Sequence, residues 1–501
     1  RLFLMTSSRP NILLIMSDQH TMRVTGCYGD GIVSTPNLDR LAARGVRFTN
    51  AYTPSPLCVP ARMSFLTGKH PYRQSCWTNS DILPSDMPTT AHALGAAGYK
   101  PILVGRLHSI GVDQMRGYVR REVGDHSTNW VGGVPHSLGV LAKTNDPYRV
   151  SIDKSGPGQS AYECHDDDVT ESALSVLDEL AESRKSGKKE PFAMTVGYLL
   201  PHQPYVARKA FYDRYKGKIN LPDVGVEDIN KVHPYLKEWR EFTETTDLAA
   251  DDILKARIAY YALVEEMDEM IGRILDKLEE TGLDHNTLVI YCSDHGDQLG
   301  ERGLWWKQTF YEESVKVPLI MTWPGVLPEG ESRNQVVNLV DLAATILEAC
   351  KAPSLPDSDG RSFLEVAHDP SRPWLNETYS EYCTDGMAPW TGPTPVQQRM
   401  IRSGKWKLNY YHGYEPQLFD IEADPQETND LADDLTYRDI RDGLTAKILT
   451  DWDPEKIIAD LAAKRESKEL LKSWSRSVLP RDHHRWQLLE NDNWLDEEAS
   501  P

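Results

Sequence analysis

The stretch Asn11–Ser17, with the sequence NILLIMS, is followed directly by Asp18-Gln19-His20. Its residues are apolar without the alternation of a half-exposed strand, so the run predicts a parallel strand covered on both faces. Ligands in α/β proteins bind at the carboxyl ends of such strands. The run therefore predicts an α/β fold with a candidate site at Asp18.

Four later apolar runs predict further strands: Pro101–Gly105, Phe192–Leu200, Leu288–Ser293 and Pro318–Trp323. Helical spacing of apolar residues is found in the segments Thr90–Ala97, Leu254–Glu280 and Val336–Cys350. This alternation predicts a mainly parallel, mixed central sheet flanked by helices. Because Asp294 also follows a strand, we expect it to meet Asp18 at one edge of the sheet.

The pattern changes after about residue 380. Met400–Tyr411 and Gln417–Ile421 predict antiparallel strands, and a helix is expected near Thr436–Leu449. We therefore predict two units, an α/β domain over residues 5–380 and a smaller α+β subdomain with an extended tail over residues 381–501. The aromatic tail Trp474–Trp494 is expected to wrap its own subunit or a neighbour, and we expect a homo-oligomer.

Composition excludes several classes of protein. The chain of 501 residues has a net charge of −20, which disfavours nucleic acid as a partner. No apolar run approaches the ~18 residues of a membrane span, and no secretory signal precedes Met5, the expected natural start. We therefore expect no membrane partner and a cytoplasmic location. An anionic substrate would require a local basic patch on this acidic chain.

Seven cysteines are widely scattered, which argues against a disulfide framework or a structural zinc site. Only Cys58 has neighbours that suggest chemistry. It opens the segment Cys58-Val59-Pro60-Ala61-Arg62, which continues to Gly68-Lys69. By itself this pentapeptide is equally compatible with a buried cysteine on a proline-bounded turn.

In its context, however, the segment resembles the Cys-x-Pro-x-Arg signature of the sulfatase family, within the alkaline phosphatase superfamily. Other elements resemble that family in the same order along the chain. They are Asn11–Asp18, Ser34–Asp39, Gly98–Lys100, Gly105–His108, Leu200–Pro204, Ser293–Gly296 and Trp306–Lys307. The chain is thus identified as similar to a sulfatase from Asn11 to about Asp430.

The resemblance implies a sulfuric ester hydrolase that acts on a small-molecule sulfate monoester. It implies that Cys58 is oxidised to formylglycine by a formylglycine-generating enzyme. It also implies one divalent metal ion, whose ligands would be Asp18, Gln19, Asp294, His295 and the Cys58-derived oxygen. Hard cations prefer such oxygen ligands.

The resemblance also assigns roles to basic residues. Arg62 would position the formylglycine hydrate, and His108 would help to deprotonate it. His202 and Lys307 would bind the sulfate and protonate the leaving oxygen. Arg106 would bind substrate where many members have lysine, and Asn79 would add a contact to a substrate oxygen.

Two positions depart from the commonest sulfatase pattern. Many members have Asp where this chain has Gln19, and Asn where it has His295. This set resembles the branch containing phosphonate monoester hydrolases and choline sulfatases. Imidazole suits transition metals better than calcium, so calcium and manganese both stay open. Hydrolysis of phosphonate monoesters or phosphodiesters at the same site is the first competing function.

Two further kinds of protein are alternatives. An inactive binding protein would keep Cys58 as a thiol. A phosphomutase or pyrophosphatase relative would use Ser or Thr as its nucleophile and usually two metals, and neither feature is evident in this sequence. Each aspartate could instead cap a helix, and Lys307 could lie over an aromatic surface. His165-Asp-Asp-Asp168 is expected to cap a helix over Glu171–Glu182. The alcohol pocket is expected in the loops Val112–Asp125 and Trp130–Ser160.

Overall fold

The computed structural model describes residues 9–188, 190–386, 394–482 and 484–496, and it shows the expected α/β architecture. The strands are β1 (Asn11–Asp18), β2 (Val46–Tyr52), β3 (Pro101–Gly105), β4 (Arg120–Glu122), β5 (Gly156–Gln159), β6 (Ala193–Pro201), β7 (Val206–Ala207), β8 (Thr287–Ser293), β9 (Leu319–Thr322), β10 (Glu331–Asn338), β11 (Glu377–Cys383), β12 (Gln397–Ser403), β13 (Trp406–Tyr411), β14 (Gln417–Asp420) and β15 (Trp494–Leu495). The helices are α1 (Pro36–Ala43), α2 (Cys58–Thr67), α3 (Pro71–Gln74), α4 (Thr90–Ala96), α5 (Val150–Asp153), α6 (Ala161–Lys185), α7 (Lys209–Tyr212), α8 (Pro234–Phe242), α9 (Ala250–Glu280), α10 (Glu312–Val315), α11 (Leu339–Ala349), α12 (Leu364–His368), α13 (Arg438–Leu449) and α14 (Pro454–Val478).

The central sheet has eight strands in the order β10-β2-β9-β8-β1-β6-β3-β4. Strand β1 lies near its middle, between β8 and β6, and pairs with both in parallel. Strand β9 runs antiparallel to β8 and β2, so the fifth predicted strand has the opposite direction to that expected. The remaining pairs are parallel, and the sheet is mixed as predicted.

Residues of β1 alternate between two cores. Leu13 and Ile15 face the side covered by α6 and α9, whereas Leu14 and Met16 face the side covered by α2, α4 and α11. Both faces of β1 are therefore buried, which explains why the segment NILLIMS is apolar at nearly every position.

Two predicted element boundaries are wrong. The segment predicted as a helix from Val336 begins as β10, and its helix starts only at Leu339, where Asn338 provides the N-cap. A short apolar run is compatible with a buried strand and with a buried helix. The N-cap at Asn338 marks where the strand ends and the helix begins.

The sequence His165–Asp168 does not cap a helix. Helix α6 begins at Ala161, where the Glu163 carboxylate accepts from the Ser160 backbone N–H at 2.7 Å, so His165 lies in its second turn. Asp166 is buried and accepts hydrogen bonds from the backbone of Leu199 and Leu200, and it therefore fixes the end of β6. These residues have a structural role that differs from the predicted one.

The C-terminal unit contains the antiparallel sheet β11-β12-β13-β14, close to the predicted start of the second unit. The division at residue 380 itself stays a prediction. The tail lies along its own subunit, since β15 pairs with β5 and Ala161 N donates to Asn493 Oδ1. In the described part of the chain, no helix combines the length and apolar character needed to span a membrane.

Candidate active site

Neighbouring strands of the central sheet carry the predicted site residues at their carboxyl ends. Asp18 ends β1, and Asp294 directly follows β8, with Ser17 and Ser293 in register. His202 follows β6, and Arg106 follows β3. Residues far apart in the chain thus meet at one sheet edge because their strands are parallel neighbours.

A glycine allows the ends of β3 and β6 to lie close together at this edge of the sheet. A Cβ atom on Gly197 of β6 would lie 2.0 Å from the Arg106 carbonyl oxygen. Any other residue there would push β3 and its arginine away, so Gly197 permits the close approach of the two strand ends.

Four ligand-type side chains converge at the centre of the edge. One donor atom from each of Asp18, Cys58, Asp294 and His295 lies within 4.8 Å of the others, and all four residues are buried. Cys58 Sγ lies 3.1 Å from His295 Nε2 and 3.6 Å from Asp18 Oδ1. Cys58 reaches this position as the first residue of α2.

The donor set of this cluster fits a divalent cation. The His295 Nδ1 atom lies 3.1 Å from the Gly296 carbonyl oxygen, so Nδ1 carries the hydrogen. The Nε2 lone pair therefore faces Asp18 Oδ1 at 3.7 Å and Asp294 Oδ1 at 3.6 Å. A histidine ligand whose other nitrogen donates to a backbone carbonyl is the usual arrangement at metal sites.

Two buried arginines compensate the carboxylates. Arg62 Nε donates to Asp294 Oδ2 at 2.8 Å, and Arg62 Nη2 donates to Asp18 Oδ2 at 3.3 Å. Arg106 Nε donates to the same Asp18 oxygen at 2.5 Å. Burial raises the pKa of Asp18, but the surrounding positive charges, Arg106 foremost, outweigh it and hold the pKa well below its ordinary value. Asp18 is therefore ionised.

Lys307 and His202 contact each other beside Cys58. The Lys307 ammonium donates to Cys58 Sγ at 3.1 Å, to His202 Nε2 at 2.9 Å and to Gln19 Oε1 at 2.8 Å. Burial and the charge of Lys307 lower the pKa of His202, so the ring is neutral at neutral pH. Lys307 is thus buried beside Cys58, and the alternative in which it merely covers an aromatic surface does not describe it.

His108 is held by Arg106 and Asp125. Arg106 Nη2 lies 2.9 Å from His108 Nδ1, and the His108 backbone N–H donates to Asp125 Oδ2 at 2.9 Å. Burial and the nearby Arg106 charge lower the pKa of His108 well below its ordinary value. His108 also lines the cavity next to Cys58.

Two predicted site residues have side-chain partners other than the ones expected. The Gln19 amide oxygen accepts from Lys307, and its nitrogen donates to Asp297 at 2.7 Å. Asn79 Oδ1 accepts from the Val59 backbone N–H at 3.0 Å, at the first turn of α2. Asn79 lines the same cavity as Cys58, but here it supports the helix that carries Cys58.

Sequence reasoning missed two buried carboxylates that order the site. Asp125 accepts from the backbone of Leu107 and His108 and contacts Arg106. Asp297 accepts from Gln19, Tyr205 and the Trp306 backbone N–H. The position of Asp297, three residues after Asp294, was a usable signal. Asp125 follows a short strand and gave none.

A cavity of about 580 Å³ opens over Cys58. It is lined by the predicted basic residues Arg106, His108, His202 and Lys307, and by part of the loop predicted over residues 130–160. The other predicted loop, Val112–Asp125, does not line it. Its wall instead includes Lys468, Lys472 and Arg476 of α14, which sequence reasoning did not place there.

Comparisons with known proteins agree with this geometry. A family model described as Sulfatase matches residues 10–352. A second model, described as N-sulphoglucosamine sulphohydrolase, C-terminal, matches residues 300–452.

Individual relatives cover most of the chain. It is 34% identical over 459 residues to a choline-sulfatase of Rhizobium meliloti (strain 1021), covering 86% of this chain and 83% of the relative. It is 27% identical over 467 residues to arylsulfatase K of Gallus gallus, covering 85% and 79%. The crystal structure of the phosphonate monoester hydrolase of Agrobacterium radiobacter has the same fold, with a TM-score of 0.70 at 22% identity, covering 88% and 95%. The chain therefore belongs to the sulfatase family of the alkaline phosphatase superfamily and is a sulfuric ester hydrolase.

Proposed function

We propose that the chain hydrolyses a sulfate monoester at the Cys58 cluster, with a formylglycine made from Cys58 and one divalent cation. The observation that carries this proposal is the convergence of Asp18, Cys58, Asp294 and His295 within 4.8 Å in a buried site. Lys307 and His202 adjoin the same sulfur atom. The pattern supplies a nucleophile position, a cation position and a basic wall for a tetrahedral anion.

Asp18, Asp294 and His295 would hold the cation, which would be calcium or manganese. Gln19 stays a predicted ligand, and its amide oxygen would have to leave Lys307 to reach the ion. The formylglycine supplies a hydrated aldehyde as nucleophile, and the cation supplies positive charge beside the ester oxygens. Arg62 holds both aspartates in place one helical turn beyond residue 58.

Lys307 binds the sulfate and donates a proton towards the leaving oxygen. Its ammonium already donates to His202 Nε2, so the neutral imidazole holds the ammonium in position while Lys307 transfers another of its protons to the leaving oxygen. His202 Nδ1 lies 2.5 Å from the Gln203 carbonyl oxygen, which fixes this tautomer. Lys307 and His202 thus act as one proton-holding pair.

His108 has the opposite tautomer. Its Nδ1 accepts from Arg106, so the neutral ring carries its hydrogen on Nε2 and presents a donor to the cavity. The predicted proton-accepting role would require Nδ1 to separate from Arg106. In the present arrangement, His108 and Arg106 bind the substrate as donors.

The first test is the mass of the tryptic peptide over residues 48–62 after co-expression with a formylglycine-generating enzyme. We expect conversion of the Cys58 side chain to the aldehyde, and loss of activity in Cys58→Ala. A peptide that carries only the thiol would refute the proposed nucleophile. Metal analysis of the wild type and Asp294→Asn should show about one bound divalent ion per chain, and loss of that ion in the variant.

The second candidate is hydrolysis of phosphonate monoesters. The specific observation is the pair Gln19 and His295, which resembles the phosphonate-hydrolysing branch. We expect kcat/KM to be higher for an aryl sulfate than for the matched aryl phosphonate monoester. The reverse order would overturn the sulfate preference and leave the site itself standing.

A further inference from the structure

The outer wall of the cavity is strongly basic. Lys468, Lys472 and Arg476 follow one another at intervals of four residues on α14, so they lie on one face of the helix. All three line the cavity that contains Cys58, and Lys143 of a separate loop lines it as well. This is a local concentration of positive charge on a chain whose net charge is −20.

Carboxylates already compensate one of these cations. Lys468 is buried and lies 2.7 Å from Asp81 Oδ1 and 3.4 Å from Asp385 Oδ2. Lys472 has only a neighbour on its own helix, Glu469, at 3.8 Å. Within the described ranges, no carboxylate forms an ion pair with Lys143 or Arg476. These two residues and Lys472 therefore keep charge for a ligand.

The basic face is held in place over the cavity. Gly132 has a φ of +65°, and a Cβ atom there would lie 2.2 Å from Lys472 Cγ, so only glycine lets the helix come this close. Arg476 Nε donates to the Gly132 carbonyl oxygen at 3.0 Å, and Ser475 Oγ donates to the Val131 carbonyl oxygen at 3.1 Å. Lys472 and Arg476 are thus packed against a loop that also lines the cavity.

The same wall has little to attract a cation. Asp146 is the one carboxylate among the described lining residues, and it adjoins the positive charges of Lys307 and Lys143. The Trp130 ring packs edge-to-face with Trp474, with ring centroids 4.9 Å apart, and the centroid of the Tyr162 ring, which also lines the cavity, lies 4.7 Å from that of His126. A quaternary ammonium group requires free aromatic faces or carboxylates, and it would be repelled by Lys472 and Arg476.

We propose that Lys143, Lys472 and Arg476 form a subsite for an anionic group on the alcohol part of the substrate. The ester would thus carry a carboxylate or a second sulfo group beyond the sulfate that is cleaved. The cavity of about 580 Å³ accommodates such an alcohol. This inference rests on the proposed function, because it places the scissile sulfate at Cys58.

The test compares kcat/KM for three aryl sulfates of similar size, with para-carboxylate, para-carboxamide and para-trimethylammonium groups. Activated full-length protein is used, with Cys58→Ala as the blank. The wild type should prefer the carboxylate to the carboxamide by about tenfold, and the ammonium ester should be the poorest. A para-sulfonate ester distinguishes a carboxylate subsite from a general anion subsite.

Variants then assign the preference to the three cations. Lys472→Met, Arg476→Met and Lys143→Met should each reduce the carboxylate-to-carboxamide ratio about threefold or more. The leaving groups are the same in every protein, so differences in their reactivity cancel when the ratio of a variant is compared with that of the wild type. Arg465→Met is the matched control, because Arg465 is exposed on the same helix and does not line the cavity. Its ratio should equal that of the wild type.

The outcomes separate the two proposals. Cys58-dependent hydrolysis overturns the anionic subsite alone if, relative to the uncatalysed rates of the same esters, kcat/KM is equal for carboxylate and carboxamide or highest for the ammonium ester. A carboxylate preference that survives all three Met variants also overturns it. Absence of Cys58-dependent hydrolysis for every ester overturns the proposed function, and the subsite with it.

Discussion

At the scale of single residues, hydrogen-bond partners decide what each basic group offers to the substrate. His202 donates through Nδ1 to a carbonyl, which leaves Nε2 as an acceptor for Lys307. His108 accepts at Nδ1 from Arg106, which leaves Nε2 as a donor. Two histidines with lowered pKa values thus have opposite chemical roles, because their neighbours fix different tautomers.

Replacing Lys307 should remove both a sulfate-binding charge and a proton donor. We expect Lys307→Met to lower kcat by roughly 10²–10⁴-fold, the usual contribution of a positioned acid. Steady-state kinetics on an aryl sulfate would measure the change. The exposed Lys100→Met is the control and should match the wild type. A kcat for Lys307→Met within a factor of two of the wild type would contradict the assigned role.

Asp297 positions Gln19 without lining the cavity itself. Its carboxylate accepts from Gln19, Tyr205, Leu299 and Trp306. Asp297→Asn would face these donors with an amide N–H, so we expect kcat to fall about tenfold with little change in KM, and the free energy of unfolding to fall by about 1–3 kcal/mol. Tyr205→Phe removes one of the four bonds and should show a smaller effect on both. Equal kcat values for Asp297→Asn and the wild type would exclude the positioning role.

At the scale of elements, buried polar caps fix where helices begin. His233 is the N-cap of α8, where its Nδ1 accepts from the Tyr235 backbone N–H at 3.3 Å. Its Nε2 atom lies 2.8 Å from the Glu415 carbonyl oxygen, and its ring stacks on Tyr411 of β13 with centroids 4.0 Å apart. One neutral imidazole therefore joins α8 to the C-terminal sheet.

This cap predicts a pH-dependent contribution to stability. Burial lowers the pKa of His233 to about 4 from its ordinary value of 6.5. The unfolded chain takes up the proton first, so the stabilisation present above pH 6.5 is lost as the pH falls towards 4. We expect about 2 kcal/mol of this loss between pH 7.5 and pH 5.

Urea unfolding of the wild type and His233→Asn at both pH values would measure it. Asparagine is a good N-cap and does not titrate, so the difference between the two proteins should shrink at pH 5. A difference that is the same at both pH values would show that His233 does not contribute to the pH dependence.

At the scale of the whole molecule, a buried ion cluster joins the α/β unit to the C-terminal sheet. Lys407 of β13 is fully buried and lies 2.9 Å from Glu312 Oε1 of α10 and 2.6 Å from Glu427 Oε1. Positive charges, Lys407 foremost, outweigh burial and lower the pKa of Glu312 to about 2, whereas burial raises that of Glu427 to about 7. The Lys407 ammonium thus compensates the charge of two buried carboxylates.

Removing Lys407 should strongly destabilise the contact between the α/β unit and the C-terminal sheet. Lys407→Met removes the ion-pair partner that the described residues give to buried Glu427 and leaves Glu312 with the more distant Lys316, and we expect a loss of about 3–5 kcal/mol in the free energy of unfolding. Lys405→Met is a matched control two residues away, because Lys405 is exposed and its ion pair within the described part of the chain is with Asp420, at 2.6 Å. Its effect on stability should be far smaller, because solvent screens an exposed ion pair. Similar losses in the two variants would show that the buried cluster is not a stabilising joint.

Local sequence determined five strands of the central sheet, most of helix α9 and the identity of the side chains that meet at the sheet edge. A strand that is buried on both faces must be apolar at nearly every position, so the segment Asn11–Ser17 predicted such a strand. Polar residues directly after the apolar runs predicted the edge of the sheet where the site lies. The ordered motifs from Asn11 to Lys307 therefore predicted both the fold class and the cluster around Cys58. The direction of β9 and the start of α11 could not be predicted, because the hydrophobic pattern carries no information on strand direction or on capping partners.

Only the tertiary structure decided which contacts the site residues make. Asp125 and the basic face of α14 are brought to the site by folding across long sequence separations, and no local pattern encodes such contacts. The partners of Gln19, Asn79 and His108 follow from distances of a few ångströms between separate elements. Side-chain chemistry is a property of the residue, whereas its tautomer, charge and orientation are set by whatever the fold places beside it.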